Sequence, residues 1–230
     1  MRDSEWERFA AGGAFVSVIA SVGGTFLVGQ PPAADATMSK IRAYYAGHHT
    51  ALLWQMILLC LGAVAVIAFA GGLRSYLRRR GDESGHLSGT AFGAGLTIGI
   101  LVLLGLFLEI GLVYRAAPTV DDALMRVMFD ALTTGAVFFG FPIALFVSAA
   151  SIAGRRTGAL SNAIFYLGVA TAIANIAAVS QLFVDSGPWT PGGSATFIPF
   201  LLLVAWEMAV AVTMISKGRD ARASAQISLG

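Results

Sequence analysis

The sequence has little charge. Asp, Glu, Lys and Arg make up only 12% of its 230 residues, about half their share in a typical soluble domain. Hydrophobic residues make up 57%, and the mean hydropathy is +0.75. This composition leaves too little polar surface to cover a water-soluble globule, and it excludes intrinsic disorder, which requires low hydrophobicity and high net charge. The basic residues form no stretch interleaved with aromatic residues, so no nucleic-acid partner is expected.

Cysteine and the common catalytic motifs are scarce as well. The single cysteine, Cys60, lies in an apolar run, so an internal disulfide is excluded and the residue is expected to pack as a small hydrophobe. The chain contains no H-E-x-x-H, no G-x-S-x-G and no phosphate-binding glycine motif. Adjacent His48 and His49 would point about 100° apart on a helix. We therefore predict no metal site and no cofactor.

Long apolar runs dominate the chain instead. Six of them approach or exceed the roughly 20 helical residues needed to cross a hydrocarbon core. They lie at about 9–29, 51–73, 89–113, 130–153, 159–183 and 195–216. Alternation with a period of two residues is absent, so helices are favoured over a β-barrel. The sequence predicts an all-α fold, a single polytopic bundle of six transmembrane helices over residues 1–230.

The basic residues predict the orientation of the bundle. Eleven of the fifteen fall in segments on the side of the N-terminus, and four fall on the other side. The four are Lys40, Arg42, Arg115 and Arg126. Because loops rich in Lys and Arg remain in the cytoplasm, both termini are predicted to be cytoplasmic.

The N-terminal segment allows a second interpretation. Residues 34–36 read Ala-Asp-Ala, the form of a signal-peptidase site, so residues 1–36 are also compatible with a cleaved signal. Three acidic residues before the apolar run, and the length of that run, favour a retained helix. The run also carries a stripe of small residues suited to close helix packing, namely Gly13, Ser17 and Ser21.

Three loop and proline features carry structural expectations. Residues 36–49, after Pro31 and Pro32, are predicted to form a helix at the membrane interface, either an anchor or a lid over an outer cavity. Pro142 and Pro199 each remove a helical N–H, so kinks are predicted there. Two inner turns share the pattern G-x-L-S-x-x-x-F, in which Ser88 and Ser161 are predicted to cap the next helix.

Ionisable residues within the spans are the candidates for function, because a charge near the bilayer centre costs about 2.5–3.5 kcal/mol on insertion scales. Glu207 falls near the middle of the sixth span, and Glu109 near the outer end of the third. If the protein is an enzyme, these two carboxylates are its candidate catalytic residues. Further polar and aromatic residues at or near the outer end are the candidate ligand-binding residues: His48, His49, Trp54, Gln55, Asp130, Asn175, Gln181, Asp185 and Trp189.

Four functions are compatible with this set. Hydrogen bonds such as Glu207–Asn175 and Glu109–Gln55 would lock the bundle, and Arg126–Asp130 would be an i, i+4 ion pair. An outward-facing polar cavity would bind a lipophilic or small cationic ligand. An intramembrane acid–base enzyme would use Glu207 as proton donor and Glu109 as base. An ion-coupled transporter would titrate Glu207 and, with only six spans, would require a homo-oligomer.

Several segments carry a resemblance to known proteins. They are residues 29–32 (Gly-Gln-Pro-Pro), 41–48, 73–78, 92–95 and 185–189 (Asp-Ser-Gly-Pro-Trp). With these segments the chain resembles small polytopic membrane proteins of unassigned function that are common in actinobacteria, which implies a bacterial plasma membrane, with membrane lipids as partners, and a compact bundle. In length and in its two intramembrane carboxylates, Glu109 and Glu207, it is also similar to integral membrane terpene cyclases. That likeness implies an isomerase or cyclase acting on a lipophilic substrate.

Overall fold

Helices form the entire described architecture. The computed structural model describes residues 3–116 and 120–227, and these ranges contain no strand. The α-helices are α1 Asp3–Leu27, α2 Met38–Gly47, α3 His49–Arg79, α4 His86–Gly111, α5 Asp122–Gly135, α6 Gly140–Arg156, α7 Asn162–Ala178 and α8 Phe197–Ile227. The predicted all-α fold is confirmed.

Six helical segments are long and apolar enough to cross a membrane. They are α1, α3, α4 with the π-helical turn Leu112–Ala116, the consecutive α5 and α6, α7 with the 3-10 turn Val179–Phe183, and α8. The fourth segment begins at Asp122, eight residues before the predicted start, because Asp121 caps the helix by accepting a hydrogen bond from the Leu124 N–H at 2.8 Å. The chain is a multi-pass membrane protein.

The six segments pack as a ring in chain order. Helix α1 packs on α3, α3 on α4, α4 on α6, α6 on α7 and α7 on α8, and α8 closes the ring against α1. Three buried aromatic side chains fill its centre. The Phe146 ring meets Phe69 and Trp206 edge to face, with centroid distances of 6.3 and 5.4 Å. The Trp206 indole N–H donates to Ser151 Oγ at 3.0 Å, so the one polar atom of this aromatic core has a partner.

Small residues allow the helices of the ring to approach closely. A Cβ atom built on Gly72 of α3 would lie 1.9 Å from the Cβ of Ala10 on α1. A Cβ on Gly62 would lie 3.0 Å from Ser21 Oγ, and one on Gly13 would lie 3.1 Å from the Ala65 carbonyl oxygen. The small-residue stripe predicted on the first span therefore does face a neighbouring helix, and that neighbour is α3.

The two prolines behave differently. Before Pro142 the chain adopts a 3-10 turn over Ala136–Phe139, which separates α5 from α6, so the predicted distortion is confirmed. Pro199 lies in the first turn of α8, which begins at Phe197. Because the first N–H groups of a helix have no intrahelical partner, the proline disrupts no hydrogen bond there, and the prediction of a kink at Pro199 is wrong.

The two inner turns share a left-handed glycine but differ in their caps. Gly85 and Gly158 have φ values of +67° and +66°. Ser161 accepts from the Ile164 N–H at 3.4 Å, as predicted. Ser88 does not cap α4, because the helix begins earlier, at His86, and the Ser88 N–H donates to Asp82 Oδ2 at 2.9 Å. Burial alone would raise the pKa of the Asp82 carboxyl, but hydrogen bonds from Ser88 hold it below its usual value.

The contact between α1 and α3 gives a stability prediction. Gly72→Ala introduces a methyl group against Ala10 and is expected to cost about 1–3 kcal/mol of unfolding free energy, as overpacking of a filled interface does. Gly93→Ala is the matched control, because nothing lies within 4 Å of its Cβ position. Thermal unfolding of the purified protein in detergent should show a lower midpoint for Gly72→Ala only. Equal midpoints would contradict the packing described here.

Candidate functional site

A groove lies in the extramembrane segment between the first two spans. Its volume is about 590 Å³, and its walls come from the chain between the end of α1 and the start of α3, helix α2 included. We call it the outer groove. Its polar and aromatic lining consists of Gln30, Asp35, Thr37, Lys40, Tyr44 and His48. This segment, predicted to be either an interfacial anchor or a lid over an outer cavity, lines the groove.

Arg126 of α5 holds the first wall of the outer groove. Its guanidinium donates to the carbonyl oxygens of Ala34 and Ala36, at 2.8 Å for Ala36. Its Nε donates to Asp130 Oδ2 at 2.8 Å, which confirms the predicted i, i+4 ion pair. A planar guanidinium suits this role because its donors are arranged in a fixed fork. One side chain of the fourth span therefore positions the loop after α1.

A second arginine fixes helix α2. Arg42 donates from Nε and Nη2 to Asp122 Oδ1, at 3.0 and 2.6 Å, and from Nη2 to the Val120 carbonyl at 2.6 Å. Asp122 lies in the first turn of α5. Both arginines therefore connect the outer groove to the start of the fourth span, and both are charge-paired with an aspartate of that span.

The loop between α7 and α8 contacts the opposite side of the groove. The Ala34 N–H donates to the Pro191 carbonyl at 3.0 Å, and Gln30 Nε2 donates to the Gly192 carbonyl at 3.3 Å. Gly192 has a φ of +77°, and a Cβ there would lie 3.3 Å from both the Ala33 Cα and the Pro32 carbonyl oxygen. Only glycine fits this conformation and approach without strain.

Helix α2 packs on an apolar surface formed by neighbouring helices. Ile41 and Tyr45 are buried, and they pack with residues of α3, α4, α5 and the π-helical turn, among them Leu52, Leu106 and Met125. The amphipathic helix is thus docked at the end of the bundle with its polar side turned to the outer groove.

Two tyrosines link the groove to Glu109. Burial, and then the charge of Glu109, raise the pKa of Tyr44 to about 12. Burial also raises the pKa of Tyr45, whose hydroxyl is hydrogen-bonded to Glu109. The Tyr44 ring lies 5.1 Å from the His48 ring, and His48 Nδ1 is 2.9 Å from the Tyr44 carbonyl oxygen. Two adjacent rings, tilted by 39° to each other, therefore line the groove, with a carboxyl group close behind them.

The predicted ligand-binding residues occupy different surroundings. His48 lines the outer groove, and Asp130 reaches its wall through Arg126. His49, Trp54 and Asp185 are exposed, whereas Gln55 is half-buried. Gln181 is buried, and the Trp189 indole donates to Ser180 Oγ at 3.0 Å.

Glu207 lies within the bundle and away from the groove. It is 5% exposed and interacts with Ser17 of α1, while its Oε1 atom has no hydrogen-bond partner among the described residues. The Asn175 amide donates to the Thr171 carbonyl of its own helix at 2.9 Å. The expected Glu207–Asn175 bond is wrong, because Glu207 faces α1 while the Asn175 amide bonds along α7.

The two candidate catalytic carboxylates lie on helices in different parts of the ring. Glu109 is on α4, which packs between α3 and α6, and Glu207 is on α8, which packs between α7 and α1. Glu109 is bound to Tyr45 rather than to the expected Gln55. The aromatic side chains of Phe69, Phe146 and Trp206 occupy the centre of the ring between these helices. Acid and base act together only when both reach one substrate.

Comparison of the chain with protein-family models, with curated proteins and with solved structures gives no match. The geometry of the site therefore carries the functional argument. Sequence reasoning identified His48 and Asp130 but missed Asp35 and Gln30, which line the groove. The only sequence signal for them was the Pro31-Pro32 pair, which lies in the loop after α1 and prevents these residues from continuing a helix.

The arginine contacts predict a local change in stability. Arg126→Gln removes the charged donor that two loop carbonyls share, and hydrogen bonds to a charged group contribute about 1.5–3 kcal/mol. We expect amide hydrogen exchange over residues 30–48 to accelerate about tenfold or more, measured by mass spectrometry in detergent. Arg156→Gln, an exposed arginine at the other end of the bundle, is the control. Unchanged exchange over residues 30–48 in Arg126→Gln would show that Arg126 does not hold the loop after α1 in place.

Proposed function

We propose that this multi-pass membrane protein binds a small amine cation in the outer groove. The observation that carries the proposal is the lining itself, a groove of about 590 Å³ that presents the Asp35 carboxylate and the Tyr44 ring, with walls held by Arg126 and Arg42. Pockets of this size suit small molecules. A groove whose walls are fixed beforehand also loses less entropy when a ligand binds.

The chemistry of the lining favours a cation. Asp35 supplies a carboxylate at the rim, and the Tyr44 ring offers the negative face that attracts an ammonium group. The carboxyl group of Glu109 lies close behind Tyr44. Lys40 is the one cationic side chain in the lining, and its long flexible stem allows the ammonium to remain in water.

Acid–base catalysis is the weaker candidate. It requires Glu109 and Glu207 to meet on one substrate, whereas their contacts are with Tyr45 and Ser17 in separate parts of the ring. The binding function requires no rearrangement of the bundle.

We also propose a bacterial plasma-membrane location, with both termini in the cytoplasm and the groove outside. The distribution of charge supports this orientation. Eleven of the fifteen Lys and Arg residues fall in segments on the side of the N-terminus, and four fall on the side of the groove. Segments rich in Lys and Arg remain in the cytoplasm.

The orientation can be tested with single cysteines in a Cys60→Ser background. Ser39 and Ser84 are exposed and lie on opposite sides of the predicted membrane. A membrane-impermeant maleimide is expected to label Ser39→Cys in intact cells and Ser84→Cys only after permeabilisation. The reverse pattern would place the groove in the cytoplasm.

Ligand binding can be tested by calorimetry on the purified protein, with choline and spermidine as probes. Asp35→Asn is expected to weaken binding about tenfold, the loss of one charged hydrogen-bonding partner. Tyr44→Leu is expected to weaken it about two- to five-fold, whereas Tyr44→Phe keeps the ring and most of the affinity.

Asp185→Asn is the charge-matched control, because Asp185 is exposed and lies outside the groove lining. It should bind both probes like the unmodified protein. If neither amine binds, or if Asp35→Asn and Asp185→Asn behave alike, the proposed function is wrong.

A further inference from the structure

Two sets of cationic side chains, one at each end of the bundle, are bound in different ways. At the groove end, Arg42 and Arg126 donate to carboxylates and carbonyls. At the other end, Arg80, Arg155 and Lys217 make no ion pair within the described ranges. We call these three residues the inner basic rim.

The rim is organised around the turn at Gly158. Lys217 Nζ donates to the Gly158 and Ala159 carbonyls at 2.8 and 3.2 Å. The Tyr76 hydroxyl donates to the same Ala159 carbonyl at 3.2 Å, and the Arg80 guanidinium lies 5.0 Å above the Tyr76 ring. These contacts bring Arg80, just after α3, and Lys217 of α8 to the same part of the surface, beside the turn after α6.

Arg155 is held by aromatic stacking. Its guanidinium carbon lies 4.4 Å from the Phe165 ring centroid and 5.8 Å from that of Tyr166. Stacking fixes the plane of a guanidinium but leaves its N–H donors free for an oxyanion. Arg155 is exposed, and so is the adjacent Arg156.

An exposed apolar stripe begins directly beside Arg155. Tyr166, Val169, Ile173 and Ile176 of α7 recur every three or four residues, so they share one face of the helix. Tyr166 and Ile173 are 61% and 64% exposed. A fixed cation at the end of α6 and an apolar stripe along the neighbouring α7 match the headgroup and the acyl chain of a phospholipid.

We propose that the inner basic rim binds an anionic phospholipid. Its headgroup phosphate accepts hydrogen bonds from Arg155, with Arg80 and Lys217 adding positive charge, and an acyl chain lies along the exposed stripe of α7. Basic surfaces next to membrane helices attract anionic headgroups in this way. The site is separate from the outer groove and does not depend on the proposed amine binding.

The test uses the full chain in nanodiscs of phosphatidylcholine with trace spin-labelled lipids. Electron paramagnetic resonance gives the motionally restricted fraction of phosphatidylglycerol relative to phosphatidylcholine. We expect preferential association of phosphatidylglycerol with the unmodified protein and a loss of about five-fold in Arg155→Gln, the equivalent of about 1 kcal/mol for one charge near the surface. Arg155→Lys should retain part of the preference, and Lys40→Gln, a charge loss at the groove end, should retain all of it.

A phosphate arm separates a lipid site from a site for the free anion. Inorganic phosphate is added in excess and compared with sodium chloride at equal ionic strength. If the two salts reduce the motionally restricted fraction of phosphatidylglycerol equally, a lipid site is supported. If phosphate reduces that fraction more than sodium chloride does, the lipid site is overturned. Equal association of both lipids, or a preference unchanged in Arg155→Gln, also overturns the proposal.

Discussion

The hydrocarbon core of a membrane offers a peptide group no hydrogen-bond partner, and this constraint underlies the whole structure. Each span must satisfy its backbone internally, so the crossing segments are helices. Between the spans, hydrophobic burial drives association little, because lipid is as apolar as a leucine side chain. Close packing holds the ring together instead, and Gly62 and Gly72 of α3 allow α1 to approach closely enough for that packing.

The same constraint explains where the polar side chains are found. Within the ring they bond within one helix, as Asn175 does to Thr171, or to another helix, as Trp206 does to Ser151. The Oε1 atom of Glu207 and the Nε atom of Arg74 are exceptions, since both are buried without a hydrogen-bond partner in the described ranges. Charged side chains concentrate at the ends of the helices, where water and headgroups are available.

Arginine side chains have different roles at the two ends of the bundle, although they carry the same charge. Arg126 and Arg42 are enclosed by loops and carboxylates, so they act within the protein and shape the outer groove. Arg155 and Arg80 lie on aromatic rings and make no ion pair within residues 3–116 and 120–227, so their charge is available to a partner. A count of arginines at each end of the bundle does not distinguish these two roles, because the neighbouring side chains decide them.

Sequence by itself determined the helical class, the six spans and the ion pair between Arg126 and Asp130. These three features depend on short-range properties, namely hydropathy over about 20 residues and an i, i+4 spacing. Both properties can be read directly from consecutive residues of the sequence. The start of the fourth span at Asp122 was missed because its first turns are amphipathic rather than uniformly apolar, and Pro199 was misread because its effect depends on where the helix begins. Only the tertiary structure decided that Glu109 meets Tyr45 while Glu207 meets Ser17, and that Asp35 and His48 share a groove. The rotation of each helix about its axis, set by side-chain packing with neighbours far along the chain, determines which residues meet, and no local pattern in the sequence records it.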